Sequence, residues 1–276
     1  MIKYVVGNIT TNVRQWMFPD GGVGVNINAG EINYEPNDIT VKITFGDEVD
    51  ERGKVMRMND HIMALAQTMD ALRLQFPRSD FALIVGYMPY ARQDRICSPG
   101  EAHSLRVVSK MINAMDFCVV ALIDPHSTVT EALVNGADII TQFDVFKNIK
   151  PSFREVYIVA TDQGATKKCE DFAKKVGAAG VITCMKHRVD GEVNLRVLDH
   201  VPVGANLLVL DDICDGGKTF IEVSKLLRNE WGSIELAVTH GLFTAGFERV
   251  GKHFDRVYTT NTVAGDKGDA KVLDII

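Results

Sequence analysis

The sequence predicts an α/β protein of two units, each a mainly parallel sheet flanked by helices. Three observations carry this reading. Short apolar, β-branched runs alternate with stretches of helical period along the chain, the pattern of strands joined by crossover helices. Most of the runs are too apolar to keep one face in water, as expected of parallel strands covered on both sides. At 276 residues the chain is comfortable for two domains of ordinary size.

Residues 39–45, 81–87, 117–124, 155–162, 180–186, 206–213, 234–240 and 256–261 read as strands. Between them, residues 59–74 place Ile62, Leu65, Ala66, Met69 and Leu72 at the spacing of an amphipathic helix, with Asn59 or Asp60 as N-cap. Residues 103–115 repeat the pattern through Leu105, Val108, Met111, Ile112 and Met115. Residues 166–176 and 219–231 are further helices. The polar segment 142–153 contains Pro151, which discourages helix before it. The domain boundary is placed there, giving units of 1–145 and 146–276.

The net charge is −6, with Lys and Arg scattered and no long run of one sign, which argues against a nucleic-acid or anionic-membrane partner. A protein of this sign that handles phosphates must concentrate positive charge locally, on a few side chains and at helix N-termini. The cysteines Cys97, Cys118, Cys169, Cys184 and Cys214 are odd in number and lack Cys-x-x-Cys spacing, so neither a disulfide framework nor a zinc knuckle is expected. The N-terminus lacks the charged start and apolar stretch of a signal peptide, and no apolar run reaches the ~20 residues of a membrane span. A cytoplasmic protein is expected.

Chemistry concentrates at strand ends. In Leu207-Leu-Val-Leu-Asp-Asp-Ile-Cys-Asp-Gly-Gly-Lys-Thr219 an apolar strand runs into two carboxylates and then a glycine turn that opens a helix. Ligands of open α/β sheets bind at such carboxyl ends. Gly216 and Gly217 let the backbone approach an anion, the following helix aims N–H groups at it, and Thr219 adds a hydroxyl. Asp211 and Asp212 would face sugar hydroxyls or a divalent cation. A plain Gly-rich turn with an Asp cap is the alternative. A Walker A loop is rejected, because that motif needs a glycine where this chain has Asp212. In the first half, Tyr87-Met-Pro-Tyr-Ala-Arg-Gln-Asp-Arg95 follows a buried strand. Its Arg92 and Arg95 suit bidentate phosphate contacts, and Gln93 and Asp94 suit nucleotide or loop hydrogen bonds.

The strand, acidic pair and Asp-x-x-x-Thr resemble the phosphoribosyl diphosphate binding motif of the phosphoribosyltransferase superfamily. The Arg92 segment resembles the ATP-binding segment of ribose-phosphate diphosphokinases. Further matches to that family follow in chain order: Phe18-Pro-Asp-Gly21, Asp124-Pro-His126, Ala160-Thr-Asp162-Gln-Gly164 and Lys186-His187-Arg188. The resemblance implies two phosphoribosyltransferase-like domains, the first binding ATP and the second the sugar phosphate. It implies an ATP site that includes Phe18, Asp20, Arg92, Gln93, Asp94 and Arg95, with the adenine segment donated by a neighbouring subunit. The protein would then be a homo-oligomer, a dimer or larger. It implies Mg²⁺ held with the help of His126 and Asp162, a sugar-phosphate site of Asp211, Asp212, Asp215, Gly216, Gly217, Lys218 and Thr219, and catalytic Lys186 and Arg188. The implied activity transfers diphosphate from ATP to ribose 5-phosphate.

The chain departs from the pattern in three places. Gly22 stands where the family has an acidic residue, and a short hairpin, Val189-Asp-Gly-Glu192, replaces a longer flap. In the sugar-phosphate loop, Gly216 and Lys218 remove a hydroxyl and add a cation. A longer anionic acceptor, a 5′-substituted ribose such as ADP-ribose in NAD salvage, is therefore the alternative expectation.

Overall fold

The computed structural model describes residues 1–50, 52–150, 152–189, 192–228 and 232–276; the side chains of residues 31 and 186–195 lie outside the described set. The chain divides into two compact units, one of residues 1–140, 262–265 and 276, the other of residues 141–261 and 266–275.

In the first unit the order is β1 (Ile2–Val6), β2 (Ile9–Asn12), β3 (Arg14–Met17), β4 (Val23–Asn26), β5 (Asp38–Ile43), β6 (Glu48–Val49), β7 (Val55–Met56), α1 (Met58–Gln75), β8 (Asp80–Val85), α2 (Ser104–Asn113), β9 (Val119–Ile123), α3 (Thr128–Leu133) and β10 (Ala137–Ile140). A six-stranded sheet runs β10-β9-β8-β5-β1-β2. Its β5, β8, β9 and β10 are parallel, and β1 and β2 are added antiparallel at one edge. The core collects Tyr4, Ile39, Val41, Leu83, Val85 and Leu122 from the strands with Leu65, Leu72 and Leu105 from the helices.

The helix over 59–74 starts earlier than the Asn59 or Asp60 cap predicts. Both residues lie inside α1, and the Arg57 backbone N–H donates to Oδ2 of Asp60 at 2.7 Å. A carboxylate in the first turn that reaches back to the N-cap N–H satisfies the same orphan donor from inside the helix.

In the second unit the order is α4 (Gln142–Phe146), β11 (Val156–Ala160), α5 (Gln163–Val176), β12 (Gly180–Val189), β13 (Glu192–Val197), β14 (Asn206–Cys214), α6 (Lys218–Leu227), β15 (Ser233–Gly241), α7 (Glu248–Gly251), β16 (Arg256–Thr260) and β17 (Lys271–Leu273). These strands form a seven-stranded sheet, β13-β12-β11-β14-β15-β16-β17, parallel apart from the β12–β13 pair. Its central strands are almost wholly buried, as a sheet covered on both faces requires. A separate core gathers Val159, Ile182, Leu207, Val209, Leu236 and Val238 with Phe220, Val223 and Leu227 of α6.

The strand order positions the chemistry. From β11 the chain crosses to β12 on one side, and later returns to β14 on the other. The carboxyl ends of β11 and β14 therefore flank a topological switch point, where the connecting loops diverge and leave a crevice.

Candidate functional site

Thr161 and Asp162 follow β11, and Asp211 and Asp212 lie near the end of β14, so the switch point brings the two segments together. The parallel register sets Ala160 beside Leu210. One residue further on, the Thr161 hydroxyl donates to Oδ2 of Asp211 at 2.5 Å. The Asp212 N–H donates to Oδ1 of Asp211 at 2.9 Å, and the Gln142 side-chain amide donates to the Asp211 carbonyl at 2.7 Å. Burial, and then the negative charge of neighbouring Asp212, push the Asp211 carboxyl up to about 8. Asp212 is itself buried. The acidic pair is thus largely withdrawn from water, with Asp211 half-buried and shifted toward its protonated form.

Beyond Cys214 the chain turns through Asp215, Gly216 and Gly217 into α6. Gly217 is the residue before the helix and sits at φ 75°, the left-handed region that glycine enters without cost. A Cβ there would come within 2.1 Å of Cγ2 of Val250. At Gly216 a Cβ would meet nothing within 4 Å, so this side of the loop is open. Asp215 is anchored by the Thr244 hydroxyl at 2.5 Å. Lys218, the first residue of α6, is exposed. A cation at that end of a helix opposes the helix dipole, a cost that an anion seated on the loop would offset.

Sequence reasoning missed the supports of this site. Thr161 lies inside the matched Ala160-to-Gly164 segment, where only Asp162 carries an expected role, and Gln142 and Thr244 are uncharged residues that nothing in their local sequence marks. Lys267 was also missed. It is half-buried, donates to the Gly241 carbonyl, and lies 5.7 Å from the Phe243 ring. Burial lowers it to about 8. Burial also raises the Cys214 thiol to about 12, with Asp211 and Asp215 adding to the shift. Cys214 is therefore a neutral packing group beneath the loop rather than a nucleophile.

In the first unit the predicted residues stand at the carboxyl edge of the parallel strands. The segment after β8 begins buried at Tyr87, Met88 and Ala91, then exposes Arg92, Gln93 and Arg95. Its backbone is pinned. The Tyr90 hydroxyl donates to Oδ1 of Asn59 at 2.6 Å, the Gln93 carbonyl accepts from Leu105 N–H at the start of α2, and Oε2 of Glu101 accepts from the N–H groups of Cys97 and Ser98 at 2.9 and 3.0 Å. After β9, Asp124 is buried at φ 39°, an uncommon conformation for a residue other than glycine and one that gathers at functional loops. His126 follows it, exposed.

Phe18 and Asp20 lie in the turn of the β3–β4 hairpin. The Phe18 N–H donates to the Gly22 carbonyl at 2.7 Å and the Gly22 N–H to Oδ1 of Asp20 at 3.0 Å, so Asp20 is engaged in shaping the turn. Phe18 is 41% exposed, braced edge-on by Trp16 at 5.9 Å. Asp50 fastens the hairpin by accepting from Met17 N–H at 2.9 Å, a bond that holds its carboxyl below the usual range. No sequence feature singled Asp50 out.

Lys186 and Arg188 fall on β12, opposite Leu195 and Val193 of β13, and their side chains lie outside the described residues. Among the described residues, no group of three or more His, Cys, Asp or Glu could hold a metal by itself. Asp162 caps α5 by accepting from Ala165 N–H at 3.1 Å. No helix among the described residues is long and apolar enough to cross a membrane.

Residues 9–115 match the family described as the N-terminal domain of ribose phosphate pyrophosphokinase. The ribose-phosphate pyrophosphokinase of Pyrococcus abyssi is 31% identical over 200 residues, covering 70% of this chain and 69% of that protein. The chain belongs to the ribose-phosphate pyrophosphokinase family. The Pyrococcus furiosus relative of the same name is 28% identical over 257 residues, 92% of this chain and 86% of its own. Among solved structures, phosphoribosylpyrophosphate synthetase from Mycobacterium smegmatis shares the fold, with a TM-score of 0.78 at 20% identity over 98% of this chain and 87% of that one. The chain is an enzyme of the diphosphotransferase type, and both of its units carry the mainly parallel, helix-flanked sheet expected of it.

Proposed function

We propose that the protein transfers the β,γ-diphosphate of ATP to the C1 hydroxyl of ribose 5-phosphate, giving phosphoribosyl diphosphate and AMP. The observation that carries this reading is the second unit's switch point, where a buried acidic pair is followed by a glycine turn into a helix. The acids suit the ribose hydroxyls, and the turn with Thr219 suits the 5-phosphate. Family membership supplies the reaction class.

The first unit, by this reading, binds ATP. Arg92 and Arg95 neutralise its phosphates, Gln93 and Asp94 order the loop around it, and Phe18 with Asp20 serves the adenine of a neighbouring subunit, making a dimer the minimum. An exposed aromatic ring on a braced hairpin tip supports that last assignment. As O1 attacks the β-phosphorus, a P–O bond forms there, the bond from that phosphorus to the α,β-bridging oxygen breaks, AMP departs with that oxygen, and the O1 proton passes to solvent. Lys186 and Arg188 hold the diphosphate as charge redistributes, the main service a protein renders to such transfers.

The residues present fit Mg²⁺ as a companion of ATP. His126 in the first unit and Asp162 in the second each offer a single donor, and Mg²⁺ keeps waters and substrate phosphates as ligands in sites of this kind. The ion would supply further neutralisation of the phosphate charge.

A second reading takes a 5′-substituted ribose such as ADP-ribose as acceptor. The open side of Gly216 and the exposed Lys218 favour it. Incubation with Mg-ATP and each acceptor separately, following AMP release and product mass, decides. Turnover with ribose 5-phosphate alone supports the first reading, turnover with ADP-ribose alone replaces it, and AMP release with neither rejects both.

A further inference from the structure

The second unit carries a cavity of about 470 Å³ whose lining includes Phe143, Lys147, Lys150, Phe153, Arg154 and Lys175. None of these residues belongs to the acidic switch-point site. Four are cations and none is an acid, in a chain whose net charge is −6.

The charges are unevenly balanced. Lys150 is paired with Glu235 at 2.8 Å and Lys147 reaches Asp144 at 3.4 Å. Among the described residues, no carboxylate pairs with Arg154 or Lys175. Lys147 and Lys175 also converge on one aromatic ring, with ammonium nitrogens 5.4 and 5.1 Å from the Phe143 centroid. The Phe143 ring is held edge-on to Phe172 at 6.4 Å, and Phe153 packs edge-on against Phe172 in turn at 5.6 Å. The aromatic wall is therefore fixed, and two like charges are gathered on it at an electrostatic cost that a bound anion would remove. Asn148 and Ser152 add neutral hydrogen-bonding groups to the rim. The volume falls in the range of small-molecule sites and exceeds what one orthophosphate fills.

The geometry points to a second anion site, separate from the reaction centre, that takes a small polyphosphate: two or more linked phosphate groups, supplied by an inorganic chain or by a nucleotide. Arg154 offers the bidentate fork, Lys175 and Lys147 the point charges, and the aromatic wall a place for an attached base.

Isothermal titration of inorganic tripolyphosphate and of GTP into the full-length protein, at low and moderate salt, tests this. The reaction centre also attracts polyphosphates, so the decisive quantity is the difference between wild type and the R154E/K175E double variant. The expected result is one binding component weakened at least tenfold in the double variant and steeply salt-dependent in the wild type, with an unchanged melting temperature without ligand. K174E, which alters the adjacent exposed lysine outside the cavity wall, should leave that component intact. Tighter binding of GTP would assign the aromatic wall to a base, and equal affinity would assign the site to the phosphates alone. Superimposable isotherms for wild type and double variant would overturn the proposal. So would equal weakening by K174E, which would reduce the effect to the general field of the surface. Should R154E/K175E melt early, R154Q and K175Q singly carry the same comparison.

Discussion

The strand ends of the two units solve different problems. In the second unit the acidic groups are drawn inward and tied together: Thr161 to Asp211, Thr244 to Asp215, Gln142 to the strand itself. In the first, the loop backbone is pinned by Tyr90 and Glu101 while Arg92 and Arg95 project outward. The contrast follows from charge. Neighbouring carboxylates with a shared environment can stay largely buried because one keeps its proton, whereas guanidinium groups never lose theirs and stay at the exposed face of the loop. The second unit is preorganised, and the first, in the proposed reading, is completed by its ligand.

The contrast predicts where substitutions act. Lys186→Ala, at the proposed transfer step, should lower kcat about 10²- to 10³-fold with little change in KM, as expected when a transition-state contact is lost. Steady-state kinetics check this, and a near-normal kcat would remove Lys186 from its role. Gly217→Ala combines a left-handed backbone with the clash on Val250 and should cost about 2–3 kcal/mol of stability. Gly216→Ala, in open space, should cost well under that, about 1 kcal/mol or less. Urea denaturation of the pair measures how rigid the preorganised loop is. Arg92→Ala should raise KM for ATP about tenfold, roughly 1.4 kcal/mol, while kcat changes little. A large fall in kcat instead would erase the distinction between a binding unit and a preorganised one.

The last effect concerns pH. Asp211 is raised to about 8 in the folded protein from the ordinary 3.8, so across that window the unfolded chain binds fewer protons. Stability from this group is therefore full below the unfolded value and is lost as pH rises toward 8. Asp211→Asn abolishes the titration. Its stability relative to wild type should improve between pH 5 and pH 8. Denaturant titrations at the two pH values check the sign, and a constant difference would mean that Asp211 is already ionised when folded.

Much of the fold was legible because burial writes itself locally. The eight runs read as strands correspond to β5, β8, β9, β11, β12, β14, β15 and β16, central strands whose continuous apolar character survives in any window. The strands that escaped, β1 to β4 and β10 among them, are short, polar on one side or confined to hairpins and edges. Their pairing comes from neighbours distant in sequence rather than from their own composition. The N-cap of α1 escaped for a related reason, since Arg57 is an unremarkable cap until Asp60 reaches back to it.

The sequence alone determined the α/β class, the strand-end segments that carry charge, and the family to which they belong, because spacing and residue type along one strand, turn and helix are local properties. Only the tertiary structure decided that Thr161 holds Asp211, that half-buried Lys267 reaches the Gly241 carbonyl, and that Lys147, Lys150, Arg154 and Lys175 share one cavity. Each of these depends on which strands the sheet makes neighbours and which groups it removes from water. A linear pattern leaves both open, and packing settles them.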